Sequence, residues 1–211
     1  MKKENLKYLL PIRSIMFILI IVIGSIITKK ELSDISNWWS IVATIVNIIT
    51  ILILLLVCKK MNITYSKLIN YQKGKTKIKE VIIMSIIVLA FALIGMNLAG
   101  FICYKVIPYA APMMAGPIPL ILAIINFILL PLTISFAEDA LYLGCGVNSI
   151  KNKYLAIIVP AFFYALQHSF IPVLFDTKYI IYRFLSFLPL TIIFCLYYYK
   201  KIQYQYRACI S

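Results

Sequence analysis

Six stretches of this sequence are too long and too apolar to be left in water: Ile12–Thr28, Trp38–Cys58, Val81–Tyr104, Ile118–Ala137, Tyr154–Phe175 and Tyr179–Tyr199. Each approaches the roughly 20 apolar residues that carry a helix across the hydrocarbon core of a bilayer. Lipid offers no hydrogen bonds, so a spanning backbone must satisfy itself, and helices do this segment by segment. With 63% hydrophobic and only 13% charged residues, a water-soluble domain could not hide the apolar surface. The expected fold is therefore an all-α integral membrane protein. It forms one membrane domain over residues 1–211, a bundle of about six transmembrane helices. The first run ends in Thr28-Lys29-Lys30 without a small-residue cleavage site, so it reads as a retained anchor. Pro108, Pro112 and Pro117 argue against helix between the third and fourth runs.

The net charge of +14 would suggest nucleic acid on a soluble protein. Here the lysines stand between apolar runs, where they fix orientation and meet anionic lipid. The bilayer, not nucleic acid, is the expected partner. Lys2, Lys3, Lys7 and Arg13, the Lys59–Glu80 segment, Lys151/Lys153 and Lys200/Lys201 fall on one side if there are six spans. The N- and C-termini are then cytoplasmic, in a multi-pass protein of the cell membrane. The cysteines Cys58, Cys103, Cys145, Cys195 and Cys209 are scattered, and neither a disulfide framework nor metal-ligand spacing is implied.

Ionisable side chains inside or beside hydrocarbon are costly, which marks a functional site by default. Glu138 and Asp139 stand together at the end of the fourth run, and His168, the sole histidine, lies within the fifth. Glu138 and Tyr142, and separately Tyr164 and His168, have the four-residue spacing of one helix face. A carboxylate poised there can deprotonate water, and an imidazole nearby can hold the water or the oxyanion. The plainer reading puts the acids at the interface facing water and pairs His168 with a backbone carbonyl freed by Pro172. The short Lys151–Lys153 turn makes the two runs neighbours, which favours a shared site. One histidine and two acids are a sparse set for zinc, with no HExxH motif, so neither a metal nor another cofactor is expected. No GxSxG motif is present.

At these residues the chain resembles the CAAX-protease and bacteriocin-processing family, the Abi-like intramembrane proteases related to type II CAAX prenyl endopeptidases. The family motif EExxxR is matched by Glu138-Asp139-Ala140-Leu141-Tyr142-Leu143, and FxxxH by Tyr164-Ala165-Leu166-Gln167-His168. The family-like core covers about residues 118–201. The resemblance implies a glutamate-dependent endopeptidase for membrane-tethered peptides or lipoproteins. Glu138 would be the general base, Asp139 its acidic partner, and His168 the residue that positions water or intermediate. Leu143 stands where the motif has arginine, so a cation that pairs with the carboxylates is missing. The third motif, a histidine followed four residues later by Asn or Asp, is not found. A shifted reading frame over Ile202–Ser211 can encode Pro-Ile-Pro-Ile and then a histidine, so a frameshift scar is expected there.

The reduced set implies impaired catalysis. It leaves open a non-catalytic role in bacteriocin self-immunity or as an accessory factor in lipoprotein processing. A transporter or plain scaffold ranks behind both, since the intramembrane charge is confined to one place and no repeat is evident. The orientation is checked by a cysteine at Lys73 in a background free of native cysteines. An impermeant thiol reagent added outside intact cells should miss it, and strong labelling would invert the topology.

Overall fold

The computed structural model describes residues 2–75, 77–107 and 118–208, the last seven by backbone alone. Every regular element among the described residues is helical. Five of these helical stretches are long and apolar enough to cross a membrane: Lys3–Thr28, Trp39–Met61, Ile78–Tyr104, Leu120–Val147 and Thr177–Lys201. The protein is a multi-pass all-α membrane bundle.

The first crossing begins earlier than the sequence pattern suggests. A 3-10 helix, Lys3–Leu9, leads through Leu10 and Pro11 into α1, Ile12–Thr28. Pro11 has no N–H to give to a helical ladder, and the winding changes at this point. Leu6 and Leu10 are buried in the core with Tyr142 and Cys145, so the 3-10 segment is inside the bundle. Arg13 therefore lies near the middle of the crossing and is not part of a basic flank.

A short α2, Leu32–Ser36, turns the chain into α3, Trp39–Met61. α4, Tyr65–Leu68, follows, with Thr64 accepting from the Lys67 amide as its N-cap. α5, Ile78–Tyr104, packs against the last helix through its small residues. Gly95, Ala99 and Gly100 of this helix are all buried, and side chains this small let helices approach closely. The proline-rich stretch 108–117 lies outside the described residues.

The fourth crossing is α6, Leu120–Ile134, continued by a π-helix, Ser135–Val147. Pro131 sits inside α6 one turn before the change of winding. A wider π turn is a frequent way to re-aim side chains at functional sites. Glu138 and Asp139 are thus well inside a helix that runs on to Val147, and not at its end. The glycine at 146 suits this place: a Cβ there would press on Leu10 and Pro160 at 2.9 Å.

The fifth run does not form one helix over Tyr154–Phe175. α7 spans Lys153–His168, sixteen residues, started by Asn152 accepting from the Tyr154 and Leu155 amides. At about 1.5 Å per residue it is too short to cross hydrocarbon alone. Ser169–Asp176 continues without helix, and Ile171 and Val173 are buried against α1 and α3. Irregular backbone at membrane depth must be covered and satisfied by protein. Arg183 donates from Nε to the His168 carbonyl at 3.2 Å and from Nη2 to the Ile171 carbonyl at 2.8 Å. Ser36 donates to the Val173 carbonyl at 2.6 Å. α8, Thr177–Ala208, then recrosses the bundle.

Asn70, Asn148 and Tyr198 meet through side-chain hydrogen bonds, which brings the lysine-rich Lys59–Glu80 segment, the Lys151 turn and Lys200/Lys201 to one end. Lys151 pairs with Glu4 at 2.5 Å there, and Lys201 with Glu80 at 3.3 Å. A Cβ on Gly95 would collide with the Ser186 carbonyl of α8. Gly95→Val should therefore destabilise the bundle by about 1–3 kcal/mol through overpacking, as read from unfolding in mixed micelles. An unchanged midpoint would contradict the close α5–α8 contact.

Candidate functional site

The site is built from three crossings and the end of α7 around one guanidinium. Arg13 of α1 is fully buried. Its Nη2 donates to Glu138 Oε1 of the π-helix at 2.8 Å and to Asn47 Oδ1 of α3 at 2.8 Å. Its Nη1 donates to Thr50 Oγ1 of α3 at 3.1 Å, and its Nε to Gln167 Oε1 of α7 at 2.5 Å. A planar fork with five N–H donors suits such a buried cluster better than a lysine point charge does. The ring of Phe17, one turn on, lies 5.7 Å from the guanidinium carbon.

The acceptors are themselves held. Asn47 turns its amide to Thr133 Oγ1 of α6 at 3.0 Å. Thr50 donates to the Val46 carbonyl at 2.7 Å. Tyr142 donates to Gln167 Oε1 at 3.3 Å. Nearer one end of α3, Thr44 donates to Asn126 Oδ1 of α6. Polar side chains of α3 thus meet those of α6, and Arg13 joins this stripe to Glu138 of the π-helix.

Asp139 points another way. Tyr164 of α7 donates to its Oδ1 at 3.1 Å. Tyr164 lies between Tyr142, with ring centroids 4.5 Å apart, and His168, at 5.9 Å. His168 stacks on Phe187 of α8 at 3.8 Å, and Arg183 covers the far face of this column, 4.8 Å from the Phe187 centroid. His168 Nε2 lies 3.5 Å from the Gln167 amide nitrogen. Glu138 is only 7% exposed, whereas Asp139 and His168 are half-buried. Arg13 and Glu138 form a closed centre, with Asp139 and His168 at its more open edge.

The three residues singled out in the sequence therefore gather in one region, though through intermediaries. Glu138 reaches His168 by way of Arg13 and Gln167, and Asp139 reaches it by way of Tyr164. His168 is the last residue of α7 and not in the middle of a span. Its own carbonyl, not its ring, is the group that the break before Pro172 frees, and Arg183 takes it. Leu143, at the motif's arginine position, is buried in apolar surroundings with Ile157, Ala161 and Cys195. Among the described residues no three His, Cys, Asp or Glu side chains converge to hold a metal ion. The buried hydroxyls of Ser14 and Ser169, next in sequence to Arg13 and His168, have no protein partner.

Arg13, Gln167, Asn47, Thr50 and Arg183 were not picked out from the sequence. One signal was available: lysine serves nearly every loop, and arginine occurs only at 13, 183 and 207. Two of the three stand within apolar stretches. Compared with known protein families, characterised proteins and solved structures, the chain matches none.

Removing one partner of a buried ion pair leaves an uncompensated charge and costs about 3–5 kcal/mol. Arg13→Met should lose about that much stability, and Arg13→Met with Glu138→Leu should recover most of it, in a double-mutant cycle of unfolding. Equal, additive losses from the two single changes would show that the pair contributes nothing.

Proposed function

We propose that this chain is an intramembrane endopeptidase-like protein of the CAAX-protease and bacteriocin-processing type. It would act on membrane-tethered peptides or lipoproteins from the cell membrane, with both termini cytoplasmic. The observation that carries the reading is the Arg13–Glu138 contact at 2.8 Å. It supplies in space the cation that Leu143 fails to supply in sequence, from a helix the motif does not include. The gathering of Lys151, Lys201 and the Lys59–Glu80 segment at one end supports the orientation.

In this reading Glu138 takes a proton from water as the water oxygen bonds to the scissile carbonyl carbon. His168 stabilises the oxyanion. The C–N bond then breaks, and the proton passes to the departing amine. Arg13 and Gln167 are positioning residues: they aim Glu138 and fix the end of α7. Asp139, held by Tyr164, is the acidic partner of Glu138 at the more open edge. With one histidine in the set, turnover is slow.

A second reading is favoured by the burial of Glu138 and its engagement by Arg13. The pair would then be a structural clamp in a protein that binds such peptides without cutting them, as in bacteriocin self-immunity or lipoprotein-processing accessory roles. The two separate on purified protein in lipid nanodiscs given a lipidated peptide. The hydrolytic reading predicts slow cleavage that Glu138→Gln and His168→Ala each reduce by at least about 100-fold. Peptide binding without cleavage, unchanged in Glu138→Gln, would replace it with the second reading.

A further inference from the structure

Away from the buried centre, α5 and α8 leave a lateral groove of about 310 Å³ between them. Its apolar walls are Val81, Met84 and Val88 on one side and Phe194 on the other. Its mouth holds Glu80, Tyr197 and Lys201. Both helices are membrane crossings, so the groove faces acyl chains along its length.

Positive charge surrounds the mouth. Lys201 Nζ donates to Glu80 Oε2 at 3.3 Å and to Tyr197 Oη at 3.5 Å. An ammonium has three N–H donors, so one remains. The Tyr197 hydroxyl accepts from Lys201 and keeps its own hydrogen to donate. Two donors therefore converge where the apolar groove meets the interface. Lys77, Lys79 and Lys200 stand exposed beside Glu80 and Lys201. Against this cluster Glu80 is the one acid in the groove, and it is already paired with Lys201.

We propose that this groove is a binding site for one anionic phospholipid of the leaflet that borders Lys201. An acyl chain lies along Val81, Met84, Val88 and Phe194. The phosphate accepts from Lys201 Nζ and Tyr197 Oη, and the net negative headgroup is held by the neighbouring lysines. A zwitterionic headgroup satisfies the two donors but leaves the lysine field uncompensated. Each basic residue near an anionic headgroup contributes about 1 kcal/mol, or roughly fivefold in affinity. This site stands apart from the hydrolytic reading and does not depend on it.

The test is native mass spectrometry of the delipidated full chain, titrated with phosphatidylglycerol and with phosphatidylethanolamine of the same acyl composition. The expected result is one phosphatidylglycerol bound at least about fivefold more tightly than phosphatidylethanolamine. Lys201→Gln should remove about fivefold of that affinity, and Tyr197→Phe should weaken it while keeping the ring. Ser85 also lines the groove, and Ser85→Trp, which fills it without changing charge, should abolish the preference. Tyr197→Phe is the conservative control should the tryptophan variant fail to fold. Equal binding of the two lipids, or phosphatidylglycerol affinity untouched by Lys201→Gln and Tyr197→Phe, would overturn the proposal.

Discussion

The guanidinium of Arg13, buried in a membrane bundle, is the constraint from which the rest of the structure follows. An arginine at the centre of a spanning helix costs about 2.5–3.5 kcal/mol on insertion scales before it finds partners. Its donors go to Gln167, Thr50, Asn47 and Glu138, from three other elements. To deliver them, α1 must enter early, α3 must turn its polar stripe inward, the π-helix must aim Glu138, and α7 must end beside it. Apolar packing in lipid gains nothing from expelling water, so buried polar contacts and close backbone approach carry more of the specificity. Here they set which helix lies against which.

The same economy explains the end of α7. A helix that stops inside the membrane exposes carbonyls that water cannot reach. Arg183 from α8 takes the last of them, that of His168, and also the Ile171 carbonyl in the chain beyond, where Ser36 takes that of Val173. Because that break is satisfied, His168 can sit at a helix terminus between Tyr164 and Phe187, at the edge of the buried centre. The aromatic column from Tyr142 to Phe187 then ties the π-helix, α7 and α8 together.

Much of this was legible in the sequence because lipid makes helix formation a matter of hydropathy and length. The runs near Trp39–Met61, Ile78–Tyr104 and Thr177–Lys201 gave the crossings within a few residues. Glu138, Asp139 and His168 stood out because charge is rare there. Two things were not legible. Arg13 sits next to Pro11 and shortly after Lys7, so it read as the end of a basic flank; only the burial of Leu6 and Leu10 shows that the crossing has already begun. The stop at His168 was hidden because Ser169–Phe175 is as apolar as the helix before it, and hydropathy cannot distinguish helix from a buried extended segment. The Ile202–Ser211 tail, expected to carry a frame-shift scar, lies outside the described side chains.

The buried centre depends on Arg13 being inside the bilayer and in contact with Glu138. Solid-state NMR on protein in lipid bilayers, with 15N in the Arg13 guanidinium and 13C in the Glu138 carboxyl, measures that contact directly. The account predicts strong dipolar coupling, from Nη2 within hydrogen-bonding reach of Oε1 at 2.8 Å, and slow exchange of the guanidinium protons with water. Absent coupling, with guanidinium protons in rapid exchange, would put Arg13 at the membrane surface and contradict it.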